Sequence, residues 1–240
     1  MSSSSFLSAN GQSKATTLNA RASDDFAAKL AETQALLQRA AAEFSPVTQA
    51  SSLGAEDVVI THLINSLKLD IPVFVLETGA LHPETVALIP RITERYGLAV
   101  EVYRPVEESV VQFVRTNGEQ AMYESLALRK ACCGIRKMEP LGRMLAGRTA
   151  WVTGLRRDQA TARGEAQAVE SDDAGRAKIS PLVDWSWNDV WHYIATNEVP
   201  YNPLHDQFMP SIGCAPCTRA IAVGQEFRAG RWWWEDESAK

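Results

Sequence analysis

The sequence predicts an α/β protein built on a doubly wound, mostly parallel sheet. Short apolar segments with strand character alternate with longer segments of helical periodicity, and this pattern is typical of parallel strands joined by right-handed crossovers. The chain has 240 residues, of which 45% are hydrophobic. That content is sufficient for one large domain with a buried core.

The N-terminal tract differs in composition from the rest of the chain. Residues 1–22 are rich in Ser, Thr, Ala and Asn and show no periodicity, so we expect a mobile arm there. Residues 23–240 are expected to form a single domain. Ser23 is a suitable N-cap for an amphipathic helix that ends at Pro46. Its apolar positions recur at helical spacing: Phe26, Leu30, Leu37, Ala40 and Phe44.

The first half of the chain contains three predicted strands, at residues 47–51, 71–76 and 98–103. A turn at residues 52–57 leads into a helix after the first strand. His82 and Pro83 open another helix, since proline is tolerated in the first turn.

The second half continues the alternation. A helix is predicted at 122–130, a strand at 149–153, and a polar loop or hairpin at 165–176. A further strand is predicted at 177–183, which Pro181 limits to an edge position or to its end. A helix at 187–194 follows, and then a proline-rich loop at 200–206 that excludes a helix or a central strand.

Two of the predicted turns suit anions. Ligands of parallel sheets bind at the carboxyl ends of the strands, and a turn of small residues at a helix N-terminus, such as 52–57, offers free backbone N–H groups. Gly154 allows close approach of the backbone after the fourth strand. The adjacent Arg156 and Arg157, with Arg163 further on, can hold phosphate or sulfate bidentately.

All four cysteines fall into two groups, Cys132-Cys133 and Cys214-x-x-Cys217, separated by 80 residues. No secretory signal and no transmembrane-length apolar run is evident, so metal binding or catalysis is favoured over disulfides. Adjacent cysteines would be strained in reaching one zinc ion, whereas an iron–sulfur cubane offers separate irons. Structural zinc, two disulfides and inert thiols remain alternatives.

The charge pattern has a global and a local side. Lys and Arg number 24 and Asp and Glu 29, for a net charge of −5, which disfavours a nucleic-acid-coating protein. Cations nevertheless surround the tandem cysteines, where they could form a solvated face, lower thiolate pKa values or hold an anionic substrate. The local cations are Arg129, Lys130, Arg136 and Lys137.

Three consecutive tryptophans at 232–234 cannot all share one buried face.

Six segments, spread from about residue 44 to 235, together resemble the bacterial iron–sulfur adenylyl-sulfate (APS) reductases, which belong with the phosphoadenylyl-sulfate (PAPS) reductases in one family. The segments are SSLGAED (51–57), LETG (76–79), CCGIRK (132–137), WVTGLRR (151–157), SIGCAPC (211–217) and GRWWW (230–234).

The resemblance implies an adenine nucleotide alpha hydrolase-like fold, related to ATP pyrophosphatases, with five or six strands. It implies a cytoplasmic enzyme of sulfate assimilation and cysteine biosynthesis that converts APS and reduced thioredoxin to sulfite, AMP and oxidised thioredoxin. A homo-oligomer is a further expectation, and neither nucleic acid nor membrane is an expected partner.

The resemblance also assigns residues. It implies one [4Fe-4S] cluster held by Cys132, Cys133, Cys214 and Cys217. The adenosine site would include Ser51, Gly54, Leu76, Gly79 and Gly154. The phosphosulfate would meet Lys137, Arg157, Arg228 and Arg231, with Lys137 supporting catalysis between cluster and sulfate.

One feature of the family is missing from this sequence. Family members carry a nucleophilic cysteine in a Glu-Cys-Gly-Leu-His ending, which forms an S-sulfocysteine that thioredoxin reduces. The sequence stops at Lys240 without it, so we expect the C-terminal tail to continue beyond Lys240.

Two alternatives remain beside APS reduction. A PAPS reductase would use the same chemistry, although cluster-free PAPS enzymes lack the two cysteine pairs. A non-redox nucleotide-binding protein or nucleotidyl transferase of the same fold is the other alternative. Against it, residues 51–57 lack the S-G-G-x-D-S pattern of ATP pyrophosphatases.

Overall fold

A single six-stranded sheet lies at the centre of the protein, of which this computed structural model describes residues 14–160 and 163–235. Its strands are β1 (Val47–Ser51), β2 (Val73–Leu76), β3 (Val100–Tyr103), β4 (Ala150–Val152), β5 (Val169–Ser171) and β6 (Ala177–Ile179). Their order is β3-β2-β1-β4-β6-β5, and every neighbouring pair is parallel except β5 and β6. The predicted fold class is therefore confirmed.

Helices connect the parallel strands and cover the sheet. None of those in the described ranges has the length and apolar content needed to span a bilayer. They are α1 (Ala15–Asn19), α2 (Phe26–Glu43), α3 (Ala55–Ser66), α4 (Pro83–Tyr96), α5 (Glu107–Asn117), α6 (Leu126–Cys133), α7 (Glu139–Leu145) and α8 (Trp187–Thr196).

Successive strand residues point to opposite faces of the sheet, and helices bury both of these faces. On one face, Val75 joins the main core together with Leu63 of α3 and Trp191 of α8. On the other, its neighbour Phe74 packs with Met144 of α7. Helices on both sides of a parallel sheet produce the doubly wound arrangement, and they leave the carboxyl ends of the strands open for a site.

The polar stretch before β6 forms the edge of the sheet. Residues 165–176 were expected to be a loop or a hairpin, and β5 within them pairs antiparallel with β6. β6 ends at Ile179, so Pro181 lies just past its end, as expected for a residue that cannot donate to a ladder hydrogen bond.

The chain start differs from the expected arm. Within residues 1–22, the short helix α1 packs on α8, and Ala15 is 2% exposed. The Ala15 N–H donates to Asp206 at 2.7 Å. Residues 1–13 lie outside the described ranges, and the single domain at 23–240 stays a prediction.

Ser23 does not cap α2, contrary to the expectation. The N-cap is Asp25, whose side chain makes no capping hydrogen bond. The Ser23 N–H instead donates to Asp189 at 2.8 Å. Asp189 and Ser186 form a capping box at the start of α8, so the buried Asp189 carboxylate fixes both the entry to α2 and the start of α8.

The cysteine segments are more helical than the sequence indicated. The helix expected to end at residue 130 continues through Cys133, and a π-helical turn at Gly134–Met138 joins it to α7. The proline-rich stretch also contains a short 3₁₀ helix, Pro203–Gln207, so the exclusion of helix there was wrong. Pro203 occupies its first turn, where a missing N–H costs nothing.

Candidate functional site

A cavity of about 450 Å³ opens at the carboxyl ends of the central strands. It has the location at which parallel α/β sheets bind ligands. Most of the residues assigned to substrate line it, and they come from five separate segments of the chain. These residues are Ser51, Gly54, Leu76, Lys137, Gly154, Arg228 and Arg231.

The turn between β1 and α3 is held in place by the buried Asp57. This carboxylate accepts hydrogen bonds from the N–H and the hydroxyl of Ser52, both at 2.6 Å, and from the Gly154 N–H at 2.9 Å. Burial raises the pKa of Asp57 to about 6, against the effect of these donors. Asp57 therefore joins the turn after β1 to the turn after β4.

Gly154 is required at this junction by contact geometry. A Cβ at this position would lie 2.6 Å from Asp57 Oδ1 and 2.7 Å from Glu56 Cβ. Both distances are shorter than any tolerated carbon contact, so a side chain would displace one of the two turns. The close approach predicted for the Gly154 backbone is thus present, and here it is an approach to the turn that contains Glu56 and Asp57.

The second acidic residue of the turn, Glu56, is neutralised inside the protein. Its Oε1 accepts hydrogen bonds from Arg156 Nε and from Gln159 Nε2, both at 2.9 Å, and Arg156 Nη2 lies at the same 2.9 Å distance as an ion-pair contact. Arg156 is fully buried. Because both Glu56 and Asp57 are satisfied by these internal donors, the cavity can take an anion despite two carboxylates in its wall.

Three arginines gather at one end of this cavity. Burial, together with the charges of Arg163 and Arg231, lowers the pKa of Arg228 to about 10. Burial also lowers the pKa values of Arg163 and Arg231. Arg228 has no ion-pair partner within residues 14–160 and 163–235. An anionic ligand would relieve this mutual repulsion.

Two of the assigned substrate residues lie elsewhere. Arg157 does not line the cavity, because its guanidinium is paired with Asp184 and donates to the Ala166 carbonyl oxygen. Gly79 also lies outside the lining; it adopts a φ of 69° beside the Arg136 guanidinium. Arg163, which the sequence offered beside Arg156 and Arg157 as a candidate for holding an anion, lines the cavity where Arg157 was expected.

All four cysteines line a second cavity, of about 360 Å³. They are free thiols. Cys132 and Cys133 close α6, while Cys214 and Cys217 bracket a 3₁₀ turn. A bridge between Leu81 and Cys214 ties the second group to the segment after β2. The sheet thus brings together two groups that are 80 residues apart in sequence.

The thiols lie in an apolar, partly cationic environment. Burial raises the pKa of Cys132, against the lowering effect of Arg136, and burial raises the pKa of Cys217 to about 11, with a further contribution from the Cys214 charge. Thr78 Oγ1 lies 3.2 Å from Cys214 Sγ. Binding of a metal or cluster by these residues would therefore release protons.

The surroundings of the cysteines fit a group larger than one ion. The cavity volume exceeds the need of a single ion. Among residues 14–160 and 163–235, the buried indole N–H groups of Trp232 and Trp234 find no acceptor, and both rings pack against the cysteines. Inorganic and cysteine sulfurs of a cluster accept such hydrogen bonds.

Lys137 lines both cavities. It lies in the π-helical turn, four residues after Cys133. Such turns widen the helix and occur often at functional sites. The turn places one ammonium group between the cysteine cavity and the arginine end of the first cavity.

The tryptophan run forms a partial cover over this region. The ring of Trp232 lies 4.4 Å from the Arg129 guanidinium, 4.9 Å from that of Arg231 and 5.6 Å from that of Arg228. Trp234 instead packs edge-on against Tyr123 at 4.5 Å. Trp232 and Trp234 nevertheless both pack against the cysteines, so the two rings share part of their surroundings.

A mostly parallel sheet with an anion-suited cavity at its carboxyl edge defines a nucleotide-binding α/β protein of the adenine nucleotide alpha hydrolase-like type. Solved structures agree with this class. An FMN adenylyltransferase of Candida glabrata, 14% identical, covers 94% of this chain and 82% of its own with a TM-score of 0.57, and this likeness concerns the fold alone.

Residues 46–220 match the phosphoadenosine phosphosulfate reductase domain, and the chain belongs to that family. A phosphoadenylyl-sulfate (PAPS) reductase from Candida auris, solved as a phosphate complex, is 26% identical, with a TM-score of 0.66 over 87% of this chain and 96% of its own.

Curated bacterial relatives are more similar in sequence. The adenosine 5′-phosphosulfate reductase of Burkholderia cepacia is 49% identical over 217 residues, covering 90% of this chain and 87% of the relative. That of Allochromatium vinosum is 50% identical over 206 residues, covering 85% and 80%. The family expected from the sequence motifs is therefore confirmed.

Proposed function

We propose that this chain is an adenylyl-sulfate reductase of sulfate assimilation, which reduces APS to sulfite and AMP with thioredoxin as the electron donor in the cytoplasm. The observation that carries the proposal is the adjacency of two cavities. One suits a nucleotide with an anionic group, the other contains four thiols, and Lys137 belongs to both.

The first cavity provides separate surroundings for the two ends of APS. Ser51, Gly54, Leu76 and Gly154 would contact the adenosine, where the β1 turn and the strand ends offer backbone groups and apolar surface. The phosphosulfate would lie at the other end of the cavity. There the cations are Lys137, Arg163, Arg228 and Arg231. Anions gain from several cations in a partly desolvated site.

The second cavity would hold a [4Fe-4S] cluster through Cys132, Cys133, Cys214 and Cys217. Support comes from the four free thiols in one cavity and from the unpartnered indole N–H groups beside them. When bound, the cluster would supply a compact charged group next to Lys137. The Thr78 hydroxyl and the Arg136 guanidinium are placed to support the thiolates.

The reaction needs a thiolate nucleophile in addition to the cluster ligands. In the first step of the proposed reaction, a C-terminal tail cysteine attacks the sulfate sulfur. A sulfur–sulfur bond forms, the sulfur–oxygen bond breaks, and AMP leaves with the electron pair. A thioredoxin thiolate then attacks the tail cysteine sulfur, which forms a mixed disulfide and releases sulfite. The second thioredoxin thiol attacks the thioredoxin sulfur of that disulfide, which closes the thioredoxin disulfide and releases the tail cysteine as a thiolate.

The cations would act on the charge that the first step develops. Negative charge grows on the bridging phosphate oxygen as AMP departs, so Lys137 and the arginines stabilise the transition state more than the bound substrate. The same groups align the sulfate sulfur for attack.

Iron and acid-labile sulfide per chain, measured on anaerobically purified protein, test the cofactor. We expect about four of each. On the same preparation, sulfite release from APS and from PAPS with reduced thioredoxin tests the substrate, and we expect APS to be preferred. Zinc in place of iron, pyrophosphate release from ATP, or faster turnover of PAPS would overturn the assignment.

A further inference from the structure

Arg129 makes a buried, bidentate ion pair near the end of the described chain. Its Nε and Nη2 donate to the two carboxylate oxygens of Glu235, each at 2.8 Å. The side chains are only 9% and 6% exposed. Two parallel, desolvated hydrogen bonds of this kind fix both position and orientation.

The same guanidinium reaches the cysteine cavity. Arg129 lines that cavity and lies on α6, four residues before Cys133. Its guanidinium centre lies 4.4 Å from the Trp232 ring. One side chain therefore belongs to the wall of the proposed cluster site and contacts two residues of the segment at 232–235.

The segment at 232–235 is attached by aromatic contacts and by one ion pair. The Trp232 and Trp234 rings pack on the buried cysteines, and the Trp232 N–H points to the Cys217 carbonyl oxygen at a long 3.5 Å. Within residues 14–160 and 163–235, the ion pair of Glu235 is the one with Arg129. The Glu235 N–H donates back to the Trp232 carbonyl oxygen at 2.9 Å, so the Glu235 carboxylate is the charged anchor of this turn beside the aromatic contacts.

We propose that Arg129 is a positioning residue that couples occupancy of the four-cysteine cavity to docking of the segment at 232–235. The inference rests on the proposed function, since it takes that cavity as the cluster site. A cluster in that cavity would lie against the Arg129 guanidinium in its wall, so the guanidinium would be held between the cluster and the Glu235 carboxylate. Glu235 then docks on a fixed partner, and by reciprocity a docked Glu235 strengthens retention of the cluster.

The coupling has a consequence for the proposed reaction. A nucleophilic cysteine placed after the tryptophan run would start from an anchored point beside the cysteine cavity. Such anchoring reduces the volume that the tail explores before it reaches the sulfate. It affects delivery of the nucleophile and not the binding of APS.

Hydrogen exchange of the backbone N–H groups of Trp232 and Glu235 tests the proposal on the intact protein. Cluster-loaded and chelator-stripped forms are compared for the parent and for Glu235→Gln, Arg129→Gln and Arg129→Lys. The control is Arg143→Gln, which removes an arginine whose ion pair with Glu139 is exposed on α7.

In the parent and in Arg143→Gln, loading should slow exchange of these two groups by at least about tenfold. In Glu235→Gln and Arg129→Gln, exchange in the loaded form should be faster by on the order of a hundredfold, because a buried ion pair is lost. Arg129→Lys keeps the charge without the fork and should fall between them.

Cluster retention provides the second readout. Iron release to a chelator should be about tenfold faster in Glu235→Gln than in Arg143→Gln. Glu235→Gln leaves α6 unaltered, so the test survives if the Arg129 variants fail to fold. A parent that binds no iron would overturn the proposed function. A parent that binds iron, but whose exchange at 232–235 does not respond to loading or to Glu235→Gln, would overturn the coupling alone.

Discussion

The charge of the first cavity, at the carboxyl ends of the strands, depends on which arginines line it. Arg156 and Arg157 are adjacent in sequence, yet neither is available to an anion. Arg156 is buried against Glu56, and Arg157 is paired with Asp184 on the surface. Arg163 is the arginine of this stretch that lines the cavity. Sequence spacing alone does not distinguish these three side chains.

Replacing Arg163 should weaken APS binding, whereas replacing Arg157 should not. We expect Arg163→Gln to raise the Kd for APS by about 10- to 100-fold, because a hydrogen bond to a charged group is lost. Arg157→Gln is the matched control and should change the Kd by less than about twofold. Titration calorimetry on cluster-loaded protein measures both, and equal losses in the two variants would contradict the site as described.

Asp57 should make stability depend on pH. Its folded pKa of about 6 lies above the ordinary value of 3.8, so the folded state binds the proton more tightly than the unfolded chain. The resulting stabilisation is complete below pH 4 and is lost as the pH rises through 6. Between those limits it amounts to on the order of 3 kcal/mol.

Urea denaturation of the parent and of Asp57→Asn, at several pH values, measures this effect. The free energy of unfolding of the parent should fall relative to that of the variant as the pH rises from 4 to 7. Parallel profiles for the two proteins would show that the Asp57 carboxylate is as ionised in the folded state as in the unfolded chain.

At the scale of elements, the sheet was predictable and the connections less so. β1 was predicted at its observed bounds because a five-residue stretch, of which all but Gln49 are small or apolar, is framed by Pro46 and a turn. The starts of β2 and β3 lie two residues later than expected, since apolar content continues into the preceding loops. The π-helical turn has no sequence signal, because it depends on how α6 and α7 dock.

The link between α3 and the turn after β4 should be a major source of stability. Arg156→Met leaves Glu56 buried without its partner, and we expect a loss of about 3–5 kcal/mol. Adding Glu56→Leu should recover a large part of it, because the unpaired charge is then gone. Chemical denaturation of both single variants and of the double variant measures the coupling.

The control for the double-mutant cycle of Glu56 and Arg156 is the ion pair Arg39–Glu43, which is exposed within α2. Arg39→Ala should cost less than about 1 kcal/mol. A cost for Arg156→Met no greater than that would show that the buried pair contributes little net stability, and additive losses in the Glu56–Arg156 cycle would show that the two side chains do not interact.

At the scale of the whole molecule, the sequence motifs that line each of the two cavities were recognisable, but the position of one cavity beside the other was not predictable. The cysteine groups and the glycine turns are recognisable in sequence because each is a dense local motif. Their adjacency is set by the strand order and by the bridge between Leu81 and Cys214, which no local pattern encodes. Gly79 and Arg157 lie outside the lining of the first cavity, and their assignment to the substrate stays a prediction.

Removal of the cluster should loosen the whole cysteine region. We expect the chelator-treated protein to unfold at a lower temperature than the loaded form, since a ligand that binds only the folded state stabilises it. It should also expose four titratable thiols, against almost none in the loaded form. Their reaction should accelerate as the pH rises, because burial raises the pKa values of Cys132 and Cys217. Equal thiol counts in both forms would contradict ligation by these cysteines.

The separation of the two cysteine groups along the chain also sets an order of events during synthesis. Cys132 and Cys133 leave the ribosome 80 residues before the second pair begins, a delay of about 4–16 s at ordinary translation rates. The first pair alone provides half of the proposed ligands, and three strands, β4, β5 and β6, lie between the pairs in sequence. If these cysteines hold the proposed cluster, its assembly is a late step, after translation has passed Cys217, and until then the nascent thiols depend on the reducing capacity of their surroundings.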